Sequence, residues 1–256
     1  MDPESNYENL ESSQDVEKEN VEKIEEEINQ FKESIKAKFE EKDCEKILSA
    51  LDLMLYLHCN QEDIIDGKPY ITHPLEVADD LVNKYDIDDA DLVVGALLHD
   101  SVEDQADKLL NNKEPEESKE ELQKAALTRI GDIYGKRIES IIKGLTNPDF
   151  DQIMEELESK GIKKEKRELY KEHIKEAIKN SDVFVIKLSD FIRNAGNIPK
   201  EGNRRNHFIK KYGPVIKEIF IPAFEKMTEE HPLYKKRSDI LVELNNMYEA
   251  EYVENL

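Results

Sequence analysis

Leu97-Leu98-His99-Asp100-Ser101-Val102-Glu103-Asp104 carries an apolar segment into a tip that holds one imidazole and three carboxylates. Upstream, Leu92, Val93, Val94, Ala96 and Leu97 supply the greasy side of a helix. Asp88 or Asp89 stands where such a helix takes its N-cap. A polar tip on an apolar stem suits a divalent cation and the activation of a water. A His-Asp dipeptide alone is common, so this reading depends on whether the chain supplies further ligands.

It does. His73 directly precedes Pro74, which reads as the first helical residue of a segment running to about Lys84. The proline would hold His73 out of α geometry at that helix start, its imidazole projecting into a pocket. On a helix, residues four apart share a face, which pairs His99 with Glu103, Asp100 with Asp104, and Asp190 with Asn194. His73, His99, Asp100 and Asp190 form a mixed nitrogen and oxygen set suited to Mn²⁺, Fe²⁺, Zn²⁺ or Mg²⁺. Glu103 and Asp104, beyond those four, would orient or deprotonate a water.

The remainder of the chain reads as helices. Apolar residues recur at helical spacing through Val21, Ile24, Ile28, Phe31 and Ile35, and again through Ile47, Leu51, Met54 and Leu55. Further helices are expected over about 120–134, 135–144, 164–180, 182–194, 203–230 and 234–251. Residues 60–70 and 111–119 read as loops. No strand pattern and no internal repeat is evident, so the fold class is all-α. Residues 1–30 form an acidic leader, partly disordered or helical, with helix expected from near Val16. Residues 31–256 form the catalytic body with a helical C-terminal extension. With 256 residues, no Trp, and only 9 Gly and 9 Pro, the chain has length for one sizeable core and few helix breakers.

Cys44 and Cys59 have no metal-like spacing, and no secretory signal or membrane-length apolar run is present, which points to a reducing cytoplasm. A formal net charge of −22 argues against nucleic acid or an anionic membrane as partner. It also means that a phosphorylated substrate needs a metal and a local basic cluster. Two such clusters exist: Arg204, Arg205, His207, Lys210 and Lys211, and Lys163, Lys164, Lys166 and Arg167. His58 is expected to pack at a helix end, and His173 and His231 to lie on the surface.

Four segments, in order, resemble the HD-domain phosphohydrolase superfamily, and within it the Rel/SpoT-type and small stand-alone alarmone hydrolases. They are Asp66 to Ala78 (Asp-Gly-Lys-Pro-Tyr-Ile-Thr-His-Pro-Leu-Glu-Val-Ala), Ala96 to Asp104, Lys143-Gly144-Leu145-Thr146, and Val185 to Asn194. Together they span roughly residues 45 to 220, and His-Asp-x-Val-Glu-Asp is far more specific than His-Asp. The resemblance implies an all-α HD-domain bundle with one metal, Mn²⁺ first among the candidates, on His73, His99, Asp100 and Asp190. It assigns the attacking water to Glu103 and Asp104, and the nucleotide pocket to Asn194. Lys68, Tyr70, Arg204 and Arg205 complete the candidate substrate contacts. The implied reaction is hydrolysis of guanosine 3′,5′-bis(diphosphate) to pyrophosphate and GDP.

The chain departs from that pattern in one place. Where the family carries a basic run before the Gly-x-Pro-Tyr segment, this chain has Gln61-Glu62-Asp63-Ile64-Ile65. His58 and Gln61 keep part of an earlier His-x-Gly-Gln, with Asn60 in place of its Gly. This keeps open an HD phosphohydrolase of other nucleotides, or a non-catalytic regulator that binds a nucleotide or a protein. A homo-oligomer or a cognate protein partner is compatible with either.

Overall fold

The computed structural model describes residues 4–62, 68–111, 118–199 and 201–253, with side chains described between residues 21 and 252. Among the described residues the architecture is helical, with α1 (Glu4–Lys38), α2 (Glu41–His58), α3 (Thr72–Asp79) and α4 (Ala90–Leu97) leading to the His-Asp pair. Short helices α5 (Ser101–Asp104) and α6 (Ala106–Leu109) follow, then α7 (Lys119–Tyr134), α8 (Lys136–Leu145), α9 (Phe150–Ser159) and α10 (Lys166–Ala177). The chain closes with α11 (Ser181–Gly196), α12 (Gly202–Val215), α13 (Ile221–Glu225) and α14 (Arg237–Tyr248). Three π turns extend helices: Asp80–Lys84 after α3, Ile216–Phe220 between α12 and α13, and Glu249–Val253 after α14. The sole β feature among these residues is an isolated bridge between Glu62 and Pro69. It closes the base of a loop whose centre, Asp63 to Gly67, lies outside the described residues, and the Asp63-Ile64-Ile65 departure falls there.

Two helices form the centre. In α4 the residues Leu92 to Leu97 are all buried, and in α11 burial is continuous from Val183 to Ile192. Neither shows a one-sided stripe, as expected of helices enclosed by others. α8 presents Ile138, Ile141, Ile142 and Leu145 to them at amphipathic spacing. Gly95 is what allows the approach: a Cβ there would lie 2.9 Å from Ile186 Cδ1 and 3.0 Å from Ile141 Cγ2. α7 and α8 meet through one residue, Gly135, whose φ of +101° suits glycine. On the outer side, Phe31 and Ile35 of α1 are buried in the common core. Lys38 fastens α1 further by donating to Val82 O at 2.8 Å and pairing with Asp86 at 2.7 Å.

Several expectations are corrected. α3 begins at Thr72, so His73 lies inside the first helical turn rather than before it. Pro74 is tolerated there because the first turn's N–H groups have no intrahelical acceptor. α4 ends at Leu97, and Leu98 to Asp100 form a turn before α5, so His99 and Asp100 sit in a break and not along one helix. The expected helix over 203–230 is continuous from Gly202 to Glu225, with a π turn at Ile216–Phe220 between Pro214 and Pro222, and ends earlier than expected. α1 starts at Glu4, earlier than Val16. α9 was not anticipated, although Asp149 caps it by accepting from the N–H groups of Asp151 and Gln152. His173 is half-buried with its ring edge-on to Phe150, and burial pulls its pKa down to about 4. His231 packs on Phe184 with 4.9 Å between ring centroids and is likewise not a free surface residue. His58 is packed as expected, at 1% exposure.

The tight α4–α8–α11 contact yields a stability prediction. Gly95→Val would push two branched methyls into Ile186 and Ile141, and overpacking of this kind costs about 1–3 kcal/mol. Urea unfolding followed by circular dichroism should show the unfolding free energy falling by that amount, through a lower midpoint at an unchanged slope.

Candidate metal centre

His73 from α3, His99 and Asp100 from the α4–α5 turn, and Asp190 from α11 converge on one point. The donor atoms of His73, His99 and Asp190 all lie within 4.8 Å of one another. His73 Nε2 is 3.3 Å from Asp190 Oδ1 and 3.9 Å from Asp100 Oδ2. His99 Nε2 is 2.9 Å from Asp100 Oδ2 and 3.8 Å from Asp190 Oδ1. The four residues proposed from the sequence as ligands are therefore brought together.

The tautomer of His99 gives the site its meaning. Its Nδ1 lies 2.8 Å from the carbonyl oxygen of Ala96, and a carbonyl only accepts, so Nδ1 carries the hydrogen. Nε2 is then a lone pair in a side chain 2% exposed, and it has no hydrogen-bond partner despite the nearby Asp100 oxygen. Two lone pairs at that separation repel, so something positive must lie between them, either a proton or a cation. Burial alone would pull the His99 pKa down, but the charges of Asp100 and Asp190 outweigh it and push it up to about 9. Burial likewise opposes ionisation of the two aspartates, yet His99 beside Asp100 and Lys187 beside Asp190 hold both carboxyls well below the usual range. An orphaned imidazole nitrogen among ionised oxygens, with its far nitrogen fixed on a backbone carbonyl, is the donor arrangement of a histidine–carboxylate metal site. The residues fit a divalent ion.

Surrounding groups orient the ligands. Tyr70 donates its hydroxyl to Asp100 Oδ2, with its ring against His73 and His58. Burial and the Asp100 charge raise its pKa, which keeps it a donor. Asn194 Nδ2 donates to Asp190 Oδ1 at 2.5 Å, one turn along α11. Asn194 is not the helix cap, since α11 continues to Gly196. Three supporting residues were not found from the sequence. Lys187, 4% exposed, holds Asp190 Oδ2 at 3.1 Å. Asn147 donates its backbone N–H and its Nδ2 to Glu103 Oε2 at 3.0 and 3.1 Å. Asp80, 5% exposed, receives Arg193 at 2.7 and 2.8 Å and Ser189 Oγ at 3.2 Å, which straps α3 to α11. Lys187 and Arg193 stand three residues either side of Asp190 on α11, the spacing that could have revealed them.

Glu103 and Asp104 flank the ligands. Burial, then the charge of Asp100, pushes the Glu103 pKa up, and the same two causes raise Asp104. Asp104 accepts from Gln61 Nε2 at 2.8 Å, and the Gln61 amide oxygen is shared by His58 Nδ1 and Gln105 Nε2.

Beyond Glu103 and Asn147 opens a cleft of about 460 Å³ whose walls include Lys119, Lys166, Arg167, His207 and Lys211. Part of each basic cluster of the sequence, Lys166 and Arg167 on α10 and His207 and Lys211 on α12, thus meets in a cleft that Glu103 also lines. Neither Arg204 nor Arg205 lines this cleft, and Arg205 instead donates to Glu251 at 3.0 Å and to Pro199 O at 3.3 Å. Lys68 lies on the opposite side, lining a smaller cleft with Thr72, His73 and Arg193, to which α1 contributes Lys23, Ile24 and Glu27.

A helical bundle that gathers two imidazoles and two aspartates, one buried and one half-buried, from three segments, with further carboxylates beside a basic cleft, has the donor set expected of a metal-dependent phosphohydrolase. The chain belongs to the HD domain family, whose model matches residues 50–220. Among solved structures it is similar to a metazoan ortholog of SpoT described as hydrolysing ppGpp, with a TM-score of 0.53 and 17% sequence identity. That likeness covers 80% of this chain and 94% of the other. No curated protein matches the sequence. Among the described residues no helix is long and apolar enough to cross a membrane.

The geometry sets two expectations. Mn²⁺ should raise the thermal midpoint in a concentration-dependent way, the stabilisation reaching roughly 2.7 kcal/mol at a hundredfold excess over its dissociation constant. His99→Ala should abolish that gain in a differential scanning measurement. Lys187→Met leaves Asp190 Oδ2 buried without a partner, and breaking such a pair costs about 3–5 kcal/mol, read by urea unfolding of the metal-free protein.

Proposed function

We propose that the chain hydrolyses guanosine 3′,5′-bis(diphosphate)-type alarmones, releasing pyrophosphate from the 3′ position. The observation that carries this reading is the meeting of the basic cleft with Glu103 at the edge of the metal centre. A polyphosphate entering an otherwise acidic protein has cations to receive it there, and its inner phosphorus would come to rest beside a carboxylate base. The likeness to a ppGpp-hydrolysing protein supports the same choice.

His73, His99, Asp100 and Asp190 would hold one divalent ion, Mn²⁺ by preference, and when bound it supplies Lewis acidity toward phosphoryl oxygens and water. Glu103, fixed by Asn147 and made more basic by its surroundings, takes the proton from the attacking water. The water oxygen forms the new bond to phosphorus as the bond to the ribose 3′ oxygen breaks, and that oxygen leaves with a proton. Asp104, on the exposed side, is placed to deliver it. Lys166, Arg167, His207 and Lys211 neutralise the phosphates by charge-assisted contacts. Asn194 and Tyr70 act on the ligands Asp190 and Asp100 while bordering the nucleotide, and Lys68 guards the His73 side. Arg204 and Arg205 act at the outer margin on α12. In this reading the protein is cytoplasmic, and a cognate partner or a second copy remains compatible.

A second reading has a specific observation behind it. Gln61, at the place of the basic run, is engaged by Asp104, His58 and Gln105 and has no free donor pair for a guanine. This favours hydrolysis of a different phosphorylated nucleotide by the same machinery.

Both readings are separated by assaying pyrophosphate and phosphate release from guanosine 3′,5′-bis(diphosphate) and a panel of nucleotides with Mn²⁺. Pyrophosphate should appear from the former. Glu103→Gln should lower kcat by about 10²–10⁴ while retaining the metal, the usual range for removal of a general base. Release from another nucleotide alone would select the second reading. No turnover on any nucleotide, with Asp100→Ala indistinguishable from wild type, would remove the enzyme and leave a binding protein.

A further inference from the structure

On the far side of α10 and α12 from the metal centre lies a second cleft of about 440 Å³. It is lined by Arg167, Lys171, Lys210, Lys211 and Lys217 against only two carboxylates, Glu168 and Glu218. Both carboxylates are already engaged. Glu218 pairs with Lys171 at 2.8 Å, and Glu168 accepts the Glu165 backbone N–H at 2.9 Å as part of the α10 capping box. Lys210 and Lys217 face no carboxylate within ion-pair distance among the described residues, and Lys217 lies over the Tyr248 ring, 5.3 Å from its centroid. Lys211 is half-buried between two rings, 4.5 Å from the Tyr170 centroid and 4.8 Å from that of Tyr212, and burial lowers its pKa. Arg167 pairs with Glu165 at 2.6 Å and Lys171 with Glu218, so in a chain of net charge −22 this concavity holds Lys210, Lys211 and Lys217 without a carboxylate at ion-pair distance among the described residues.

The backbone around it is also built, not incidental. Pro214 lies inside the last turn of α12, and a π turn follows at Ile216–Phe220. A second π turn, Glu249–Val253, brings Tyr252 beneath Tyr248 with their rings 11° from parallel and 6.3 Å apart. Tyr252 is pinned by its hydroxyl to Ala195 O at 2.9 Å, and Gly213 lets it approach. Single π turns inside helices recur at functional sites, and here two of them frame one cleft with a flat aromatic wall and free cations.

We propose that this cleft is a second binding site, separate from the metal centre, for a phosphate-bearing ligand. Its phosphate meets Lys210 and Lys217, and Tyr248 offers a face to any attached ring. Arg167 and Lys211 line both this cleft and the one beside Glu103, so an occupant here competes for the same two cations and weakens phosphate binding at the metal side. The site does not depend on which nucleotide, if any, is hydrolysed.

Isothermal titration of the full-length, Mn²⁺-loaded protein with inorganic pyrophosphate and, separately, with GDP tests this. Two binding equivalents per chain are expected for at least one probe. Pyrophosphate binding would show that the phosphates suffice, and GDP binding alone that the ring contributes. Lys210→Glu combined with Lys217→Glu should abolish one equivalent or weaken it at least tenfold and leave the other, with circular dichroism unchanged because both side chains are exposed. Lys166→Glu, in the other cleft only, should affect the complementary equivalent. A single wild-type equivalent that Lys210→Glu/Lys217→Glu abolishes still supports the site, whereas a Lys210→Glu/Lys217→Glu variant that titrates like the wild type overturns the proposal.

Discussion

The lone pair on His99 Nε2 and the Asp100 oxygen 2.9 Å away cannot both be buried at that distance without a positive charge between them. Much of the surrounding structure serves to keep them there. The Ala96 carbonyl fixes the imidazole, Tyr70 holds Asp100, and Lys187 and Asn194 take up the remaining valences of Asp190. The Asp80–Arg193 strap then fixes α3, which carries His73, to α11, which carries Asp190. Each of these contacts restrains a group that would otherwise relax away from its neighbour. The bundle therefore stores an electrostatic demand that only a bound cation or proton relieves.

Charge is distributed unevenly for the same purpose. At −22 overall, the surface repels phosphates, but that repulsion is screened beyond the Debye length, roughly 8–10 Å at ordinary ionic strength. Within that distance the local cations decide. α10 and α12 lie side by side and their lysines and arginine face into clefts on both flanks, so the basic residues of two separate sequence clusters act as one.

The sequence disclosed the candidate ligands better than their supports. His73, His99, Asp100 and Asp190 are of residue types that betray themselves by spacing and by position next to apolar runs. Lys187, Asn147 and Asp80 do not, because a buried lysine or aspartate looks like any surface charge until the packing is known. The helix inventory was legible wherever an apolar stripe ran uninterrupted, as in α2, α4 and α11. It also held across Pro214 and Pro222, which the helix absorbs with a π turn at Ile216–Phe220, and missed only that turn and the end at Glu225. It failed at α9, none of whose residues is buried and whose main signal was the cap at Asp149. The substrate contacts were the least legible part, because the clefts arise from helix pairs far apart in sequence and the loop at 63–67 lies outside the described residues.

Gly135 joins α7 to α8 with no intervening loop, its backbone fixed in a conformation other residues avoid. A joint of one residue has almost no slack, so neither helix can fray from the bundle without displacing the other. The two would open as one cooperative unit on the timescale of sub-global unfolding. α8 leads directly into Leu145, whose carbonyl Lys187 contacts, and Asn147, which holds Glu103. The lifetime of the Glu103 geometry is thus set in part by α7, an outer helix that never touches the metal centre.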